Sequence, residues 1–187
     1  MSLRPGLLAG RRVALAGDES AAVGERLRAL GAELAILPGS ARADEAAAAA
    51  WVAAASPLRA LVYDARGAFA SGGHERLRAV LDEAWICARA VATGALIGSA
   101  SDGRLLFLTP APGSGSLAEA ARAGLESLAR TLSVEWARHT VTAVAVCPGE
   151  ASGEADIADL IAFLLGAGGG YYSGCRFDLG LVAAAPS

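Results

Sequence analysis

The sequence contains no lysine, and all 16 of its basic residues are arginine. It has two histidines and three cysteines, and the cysteines (Cys87, Cys147 and Cys175) lie far apart without a C-x-x-C pair. A metal site built from these residue types is therefore not expected. The formal net charge is −3, so the composition offers no basic surface for nucleic acid.

Long apolar runs are missing as well. No stretch of about 18 uncharged apolar residues predicts a membrane span, and the N-terminal apolar stretch is too short for a signal peptide. Isolated cysteines in apolar surroundings are typical of free thiols in a reducing compartment. The sequence therefore predicts a cytoplasmic protein with no membrane contact. Its 187 residues, 54% of them apolar, are enough for one domain spanning residues 1–187.

Apolar runs of strand length alternate with helical patterns along the chain. The predicted strands are Arg12–Ala16, Glu33–Leu37, Leu58–Tyr63, Leu105–Thr109, Val141–Val146 and Cys175–Leu179. The predicted helices are, approximately, Ala21–Leu30, Ala43–Ala55, His74–Thr93, Leu117–Arg138 and Glu154–Leu165. This alternation predicts an α/β fold, a Rossmann-like doubly wound parallel sheet of about six strands.

One stretch identifies a family. Residues 116–149, SLAEAARAGLESLARTLSVEWARHTVTAVAVCPG, resemble the catalytic helix and following strand of the short-chain dehydrogenase/reductase family. That family carries a Tyr-x-x-x-Lys pair on this helix. The resemblance places the tyrosine on Ala118 and the lysine on Arg122, so it implies a truncated and catalytically degenerate member.

The other catalytic positions are substituted too. The resemblance places the family's serine on Pro110, directly after Thr109, and its catalytic asparagine on Val80. Tyr63 replaces an asparagine near the expected cofactor cleft and is the one tyrosine that could stand in as a proton donor. A packed aromatic side chain is the alternative interpretation.

The cofactor loop has lost two glycines. In the family this loop reads T-G-x-x-x-G-x-G, and its glycines let the backbone approach a diphosphate. Here it reads AGDESAAVG: Gly17 is kept, whereas Ala21 and Val23 replace the other two, and Asp18 and Glu19 add negative charge. We expect a vestigial loop and no cofactor in this chain, with a cofactor site that tolerates these substitutions as the alternative.

Two segments of the family are absent. After its second strand the family has a further helix and strand, but this chain passes from Ser40 into the helix at about Ala43. After Pro148-Gly149 the family has a mobile segment over the substrate, where only Glu150–Gly153 remains here. The sequence predicts a sheet without one edge strand and a site without its substrate lid.

The two best-preserved helices match the pair that forms a four-helix dimer interface in the family. The resemblance implies pairing with an active homologue as a heterodimer or heterotetramer, with NAD(P) bound in that partner. The predicted interface residues are Leu81, Trp85, Arg89, Leu125, Leu128, Leu132 and Trp136. The alternatives are that these apolar faces are core, that the chain forms a homodimer, that it is a divergent NAD(P)-dependent oxidoreductase acting on a carbonyl or hydroxyl substrate, or that it is a ligand-binding regulatory protein.

Overall fold

The computed structural model describes residues 3–17, 21–69, 73–99 and 102–180, which contain one six-stranded sheet. Its strands are β1 (Arg12–Gly17), β2 (Glu33–Ile36), β3 (Ala60–Asp64), β4 (Gly103–Leu108), β5 (Val141–Cys147) and β6 (Arg176–Asp178). Neighbouring strands pair in parallel in the order β2-β1-β3-β4-β5-β6. The predicted doubly wound parallel sheet is confirmed, and β2 forms one of its edges.

Six α-helices connect these strands. They are α1 (Ala21–Ala29), α2 (Gly39–Arg42), α3 (Glu45–Ala55), α4 (His74–Val91), α5 (Ala118–Glu135) and α6 (Glu154–Leu165). Helix α1 packs against α6, whereas α3 packs against α4, and α4 against α5. Among the described residues, no helix is both long and apolar enough to cross a bilayer.

The alternation of side chains along the strands divides the core between the two faces of the sheet. On β3, Leu61 and Tyr63 belong to the cluster that covers α3, α4 and α5. Ala60 and Val62 belong to the cluster on the face of α1 and α6. Every residue of β3 is buried, as expected for a central parallel strand covered on both faces.

The short helix α2 differs from the sequence prediction. The Pro38-Gly39 pair predicts a turn, whereas the structure begins a helical turn at Gly39. Pro38 is extended, with φ −70° and ψ 151°, and stands at the N-cap, where its missing N–H costs the helix nothing. The chain then enters α3, whose first turn is capped by the Asp44 carboxylate accepting from the Ala47 N–H at 2.7 Å.

Candidate functional site at the carboxyl edge of the sheet

The segments that follow β1, β3, β4 and β5 meet at the carboxyl edge, meaning the edge at which the parallel strands end. Ligands of doubly wound sheets bind there, where the strand order reverses. Because β2 and β3 flank β1, that point lies between β1 and β3. A Cβ on Gly17, which has φ +115°, would lie 2.0 Å from the Asp64 carbonyl oxygen, so this close crossing requires glycine.

Arg122, at the position of the family's lysine, is buried beneath this edge. Its Nη1 donates to the carbonyl oxygens of Pro110, at 2.6 Å, and Pro148, at 2.8 Å. Its Nη2 lies 3.9 Å from the Asp178 carboxylate, and its Nε lies 3.7 Å from Glu119. The guanidinium thereby connects the segments that end β4, β5 and β6.

The other catalytic positions contain no group that could exchange a proton with a substrate. Ala118 is fully buried, one turn before Arg122 on α5. Thr109 is also fully buried: its hydroxyl accepts from Arg122 Nη1 at 3.3 Å and donates to the Pro110 carbonyl at 3.4 Å. These positions lie together in the fold and present a methyl group, a proline ring and a guanidinium.

Tyr63 faces away from the carboxyl edge. It is 2% exposed, and its hydroxyl donates to the Val80 carbonyl at 3.1 Å, with Glu83 at 3.5 Å. Burial raises the pKa of Tyr63, and the charge of Glu83 raises it further. The tyrosine therefore stays protonated and holds β3 against α4. Its hydroxyl is occupied within the chain, which is the arrangement of a packed aromatic residue.

Val23 is a core residue. It is fully buried in the cluster between the sheet and α1, whereas Ala21 is exposed at the start of that helix. Asp18 and Glu19 lie outside the described residues. The position of the third loop glycine therefore contributes a packed side chain to the α1 face of the core.

The sequence interpretation missed an ion-pair bridge beside the reversal point. Arg66 donates from Nε at 3.0 Å and from Nη2 at 2.8 Å to Asp64, whose side chain is fully buried. The Nη1 of Arg66 pairs with Glu154 on α6. Burial lowers the pKa of Arg66, but the hydrogen bonds to both carboxylates outweigh this and raise it. An Asp-x-Arg sequence directly after a predicted strand was the available signal.

A cavity of about 600 Å³ opens next to this bridge. Its lining contains small residues, one serine, and Arg66 and Glu154 of the bridge. The lining residues are Ala21, Ala22, Arg66, Gly67, Ala111, Ser114 and Glu154. The turn after β5 is short here, with the Gly149 N–H donating to the Ser152 hydroxyl at 2.9 Å just before α6 begins. No long segment separates β5 from α6.

The cysteine thiols are free, and burial keeps two of them in the protonated form, which is the less nucleophilic one. Cys87 and Cys147 are buried and Cys175 is half-buried, and all three are free. Burial, followed by the charge of Glu83, raises the pKa of Cys87 to about 12. Burial also raises the pKa of Cys147, against the opposing effects of Thr109 and Arg122. Among the described residues, no cluster of three or more His, Cys, Asp or Glu side chains could hold a metal ion.

The predicted interface residues fall into two groups. Leu125 and Leu132 are at most 1% exposed, so they belong to the chain's own core and not to a surface that a partner could contact. Trp136 is 9% exposed and lies under Trp85, which is 40% exposed; their rings stack with centroids 6.5 Å apart. Leu81 and Leu128 are half-buried and Arg89 is exposed at the outer side of α4 and α5.

Gly124 serves the contact between these two helices. A Cβ there would lie 2.7 Å from a methyl group of Leu81, so that the leucine occupies the space a larger residue would need. The glycine therefore brings α4 and α5 of the same chain together. The outer surface that remains, defined here by Leu81, Trp85, Arg89 and Leu128, is called the α4–α5 surface below.

No protein-family model matches the chain, and no curated protein matches it. Solved structures do match. A citronellol catabolism dehydrogenase from Pseudomonas aeruginosa gives a TM-score of 0.75 at 24% identity, covering 95% of this chain and 96% of that one. Hydroxysteroid dehydrogenase from Escherichia coli gives 0.74 at 14% identity, covering 95% and 99%. A short-chain dehydrogenase from Mycobacterium smegmatis gives 0.71 at 20% identity, covering 97% and 95%.

These identities are low, whereas the coverage of both chains is nearly complete. The likeness concerns the architecture, and it agrees with the family indicated by the sequence of α5 and β5. The chain has the fold of the short-chain dehydrogenases/reductases.

Proposed function

We propose that this chain is a non-catalytic subunit that pairs through its α4–α5 surface with an active NAD(P)-dependent reductase or dehydrogenase of the same fold and stabilises it. The complex is a heterodimer or heterotetramer, and the cofactor binds in the partner. In this chain the residues at the carboxyl edge stabilise the fold, whereas the equivalent residues of the partner carry out the reaction.

The state of Arg122 is the observation that carries this proposal. A catalytic lysine must reach a cofactor ribose and a tyrosine. Arg122 instead donates to two backbone carbonyls beneath the carboxyl edge and has buried Ala118 one turn away. Turning the guanidinium towards a ligand would remove its hydrogen bond to the buried Pro148 carbonyl and leave the Pro110 carbonyl with only the longer hydrogen bond from Thr109 described above, which is costly. This supports a structural role in place of a catalytic one.

The residues of the carboxyl edge do not fit a dinucleotide. Val23 is fixed in the core where the loop needs a glycine. The Glu154 carboxylate lines the cavity, the Asp64 carboxylate is fully buried, and the Arg66 guanidinium is paired with both. In the part of the chain that the structure describes, a diphosphate at this cavity would therefore compete with two carboxylates for Arg66. No step of a hydride transfer is therefore assigned to this chain.

The α4–α5 surface supports the pairing. Trp85 exposes 40% of its area while stacked on Trp136, which holds the ring in a fixed orientation. Rigid, partly exposed aromatic residues next to half-buried leucines are the kind of anchor that dominates protein interfaces. Arg89, also exposed on α4, pairs with Glu45 of α3 and marks the border of this surface.

Co-expression with intact short-chain reductases from the source organism tests the pairing. We expect a complex of defined stoichiometry by native mass measurement, with one NAD(P)H site per heterodimer. Trp85→Asp should abolish the complex while leaving the circular dichroism spectrum of the chain unchanged. Tyr171→Asp is the matched control, because Tyr171 is a 92% exposed aromatic residue away from this surface, and it should leave the complex intact.

A monomer or homodimer that binds NAD(P)H on its own would contradict the proposal. A complex that survives Trp85→Asp would show that another surface forms the contact. A catalytically active chain without a partner would favour the divergent oxidoreductase.

A second function is favoured by one observation, the cavity of about 600 Å³ at the reversal point. A volume of this size accommodates a small ligand, and its walls carry Arg66, Ser114 and Glu154 as polar contacts. A regulatory protein that binds a small polar molecule there would show ligand-induced protection of Arg66 in hydrogen exchange. It would need no partner enzyme.

A further inference from the structure

We propose that this chain also has a binding site for a small organic anion at the opposite end of the sheet, where the strands begin. There a cavity of about 550 Å³ lies between the starts of β4 and β5 and the segment that precedes β6. The site does not share residues with the carboxyl edge, and the inference is independent of whether the chain pairs with an enzyme.

Two guanidinium groups share one carboxylate at this cavity. Arg104 pairs with Asp102, and Arg11 Nη2 lies 3.4 Å from the same Asp102 oxygen. The three groups together retain one positive charge. An anion that entered the cavity would balance it.

Arg104 is buried, and not all of its hydrogen-bond donors have an acceptor. The residue is 4% exposed, and its buried Nε has no hydrogen-bond partner in the part of the chain that the structure describes. Burial lowers the pKa of Arg104, and the charge of Arg11 acts in the same direction, while Asp102 opposes them. Partial burial alone would raise the pKa of Asp102, yet the two arginines lower it. The cluster is therefore short of negative charge.

The loop before β6 is shaped around this guanidinium. A Cβ on Gly170 would lie 2.8 Å from Arg104 Nη2, so glycine lets the backbone pass close to the charge. The same loop places Tyr171, which is 92% exposed, and Ser173 on the cavity wall. The Ser173 hydroxyl accepts from the Ala143 N–H at 3.4 Å.

The wall opposite supplies more hydroxyls. Ser133, Thr140 and Thr142 line the cavity together with Ala137 and Val141, and their hydroxyls donate to the backbone carbonyls of Arg130, His139 and Gly103. Because a hydroxyl can rotate its proton towards an entering anion, hydroxyls beside a guanidinium are a common arrangement for binding carboxylate or phosphate oxygens. The exposed ring of Tyr171 provides a flat surface on which a planar group attached to that anion can stack. The chemistry therefore fits a small molecule that joins a phosphate or carboxylate to a planar ring.

Inorganic phosphate and phenyl phosphate are suitable probes, measured by calorimetric titration of the intact chain. We expect saturable binding of phenyl phosphate with a Kd of about 1 mM or lower, and weaker binding of inorganic phosphate. Tyr171→Ala should remove the advantage of the phenyl ring and leave phosphate binding as it was. This residue is almost fully exposed, so the variant should fold normally.

The charge argument has its own test. Asp102→Asn leaves both guanidiniums without a carboxylate and should tighten phosphate binding about fivefold or more, whereas Arg104→Gln should weaken it at least about tenfold. A merely structural ion pair would lose stability in both variants and show no gain in anion affinity. Arg78→Gln, an exposed arginine on α4, is the control and should change nothing.

No saturable binding of either probe, or equal affinities in the wild type and in Asp102→Asn, would overturn the proposal. Arg104→Gln is the variant at greatest risk of misfolding because the side chain is buried. In that event Asp102→Asn and Tyr171→Ala decide the question. Thermal unfolding with and without phenyl phosphate gives an independent reading, since a ligand that binds only the folded chain raises Tm.

Discussion

Two arginines at the carboxyl edge meet opposite surroundings. Arg122 lies beneath the ends of β4 and β5 and donates to backbone carbonyls. Arg66 lies beside the reversal point between β1 and β3 and pairs with carboxylates, one of them on the exposed residue Glu154. Arg122 satisfies buried carbonyl groups at 2.6 and 2.8 Å, while the carboxylates of Glu119 and Asp178 lie farther away, at 3.7 and 3.9 Å. Arg66 takes part in an ion pair that salt and water can reach.

The difference shows that an arginine at the position of the family's lysine can have a structural role. The carbonyls of Pro110 and Pro148 need a donor whether or not chemistry occurs, and a long cation at this position of α5 supplies it. Beside the reversal point, Arg66 bridges two carboxylates, one on the fully buried side chain of Asp64 and one on the exposed side chain of Glu154. The pair with Glu154 is the part of this bridge whose loss should be tolerated.

Removing the buried cation should have the largest effect. Arg122→Met should lower the free energy of unfolding by about 4 kcal/mol, because each hydrogen bond from a charged group to a carbonyl contributes about 1.5–3 kcal/mol. Urea unfolding followed by circular dichroism measures this. Arg122→Lys retains the charge with fewer donors and should recover part of the loss. Equal stability of Arg122→Met and wild type would contradict the structural role of Arg122.

The second effect separates the two sides of α5. Leu125→Ala should cost about 3 kcal/mol of folding free energy, because Leu125 is fully buried and its removal leaves a cavity. Leu128→Ala, on the half-buried outer side, should cost about 1 kcal/mol in the isolated chain. In the presence of a partner enzyme, only the second variant should weaken the complex without first unfolding the chain. Equal costs in the isolated chain would remove the distinction between core and α4–α5 surface.

Alkaline pH should act on the buried interior next. The pKa of Cys87 is raised to about 12 in the folded chain, whereas an unfolded thiol titrates at about 8.5. Unfolding therefore releases a proton above about pH 8.5, and the free energy of unfolding should fall by up to about 1.4 kcal/mol per pH unit from this residue. Below that pH the contribution is fully present. Urea unfolding at several pH values in this range measures the slope.

Two cysteine variants sharpen this measurement. Cys87→Ala should reduce the fall of the free energy of unfolding with pH. Cys175→Ser, at the half-buried cysteine, should leave that fall unchanged. Cys147, whose pKa burial also raises, should add to the same slope. A stability that does not change between about pH 8.5 and about pH 11 would contradict the burial of these thiols.

The smallest effect belongs to the bridge. Glu154→Gln should cost about 0.5 kcal/mol at low salt, since Glu154 is 56% exposed, and should cost almost nothing in about 1 M salt. Arg122→Met, by contrast, should be equally destabilising at both salt concentrations. A large and salt-independent effect of Glu154→Gln would contradict this, because it would show that the ion pair is shielded from solvent in the way the contacts of Arg122 are.

The fold was largely predictable because its signals are local. Val141–Cys147 is apolar and β-branched, as a central strand is, and α6 begins and ends where the sequence pattern predicts. The helix predicted at about Leu117–Arg138 is α5, which spans Ala118–Glu135 and so ends earlier than predicted. Helix α2 was missed, because a Pro-Gly pair is typical of both a turn and a helix start.

The site was only partly predictable, since contacts between distant segments decide it. The sequence indicates that Ala118 and Arg122 occupy catalytic positions, but it does not show which carbonyls Arg122 would meet. Likewise, the leucines of α5 share one apolar stripe, and only the packed structure separates Leu125 from Leu128. The face of β3 on which Tyr63 lies could have been predicted from Leu61, because alternate residues of a strand point to the same face of the sheet.

Val23 has a consequence for any attempt to restore the glycine-rich loop. The family's loop has a glycine at this position, whereas here an isopropyl group fills the α1 side of the core. Replacing it by glycine would remove that buried group and add backbone freedom, at a cost of about 2 kcal/mol or more of folding free energy. A design that rebuilds the loop must therefore recover this stability elsewhere in the core before the loop can be tested for diphosphate binding.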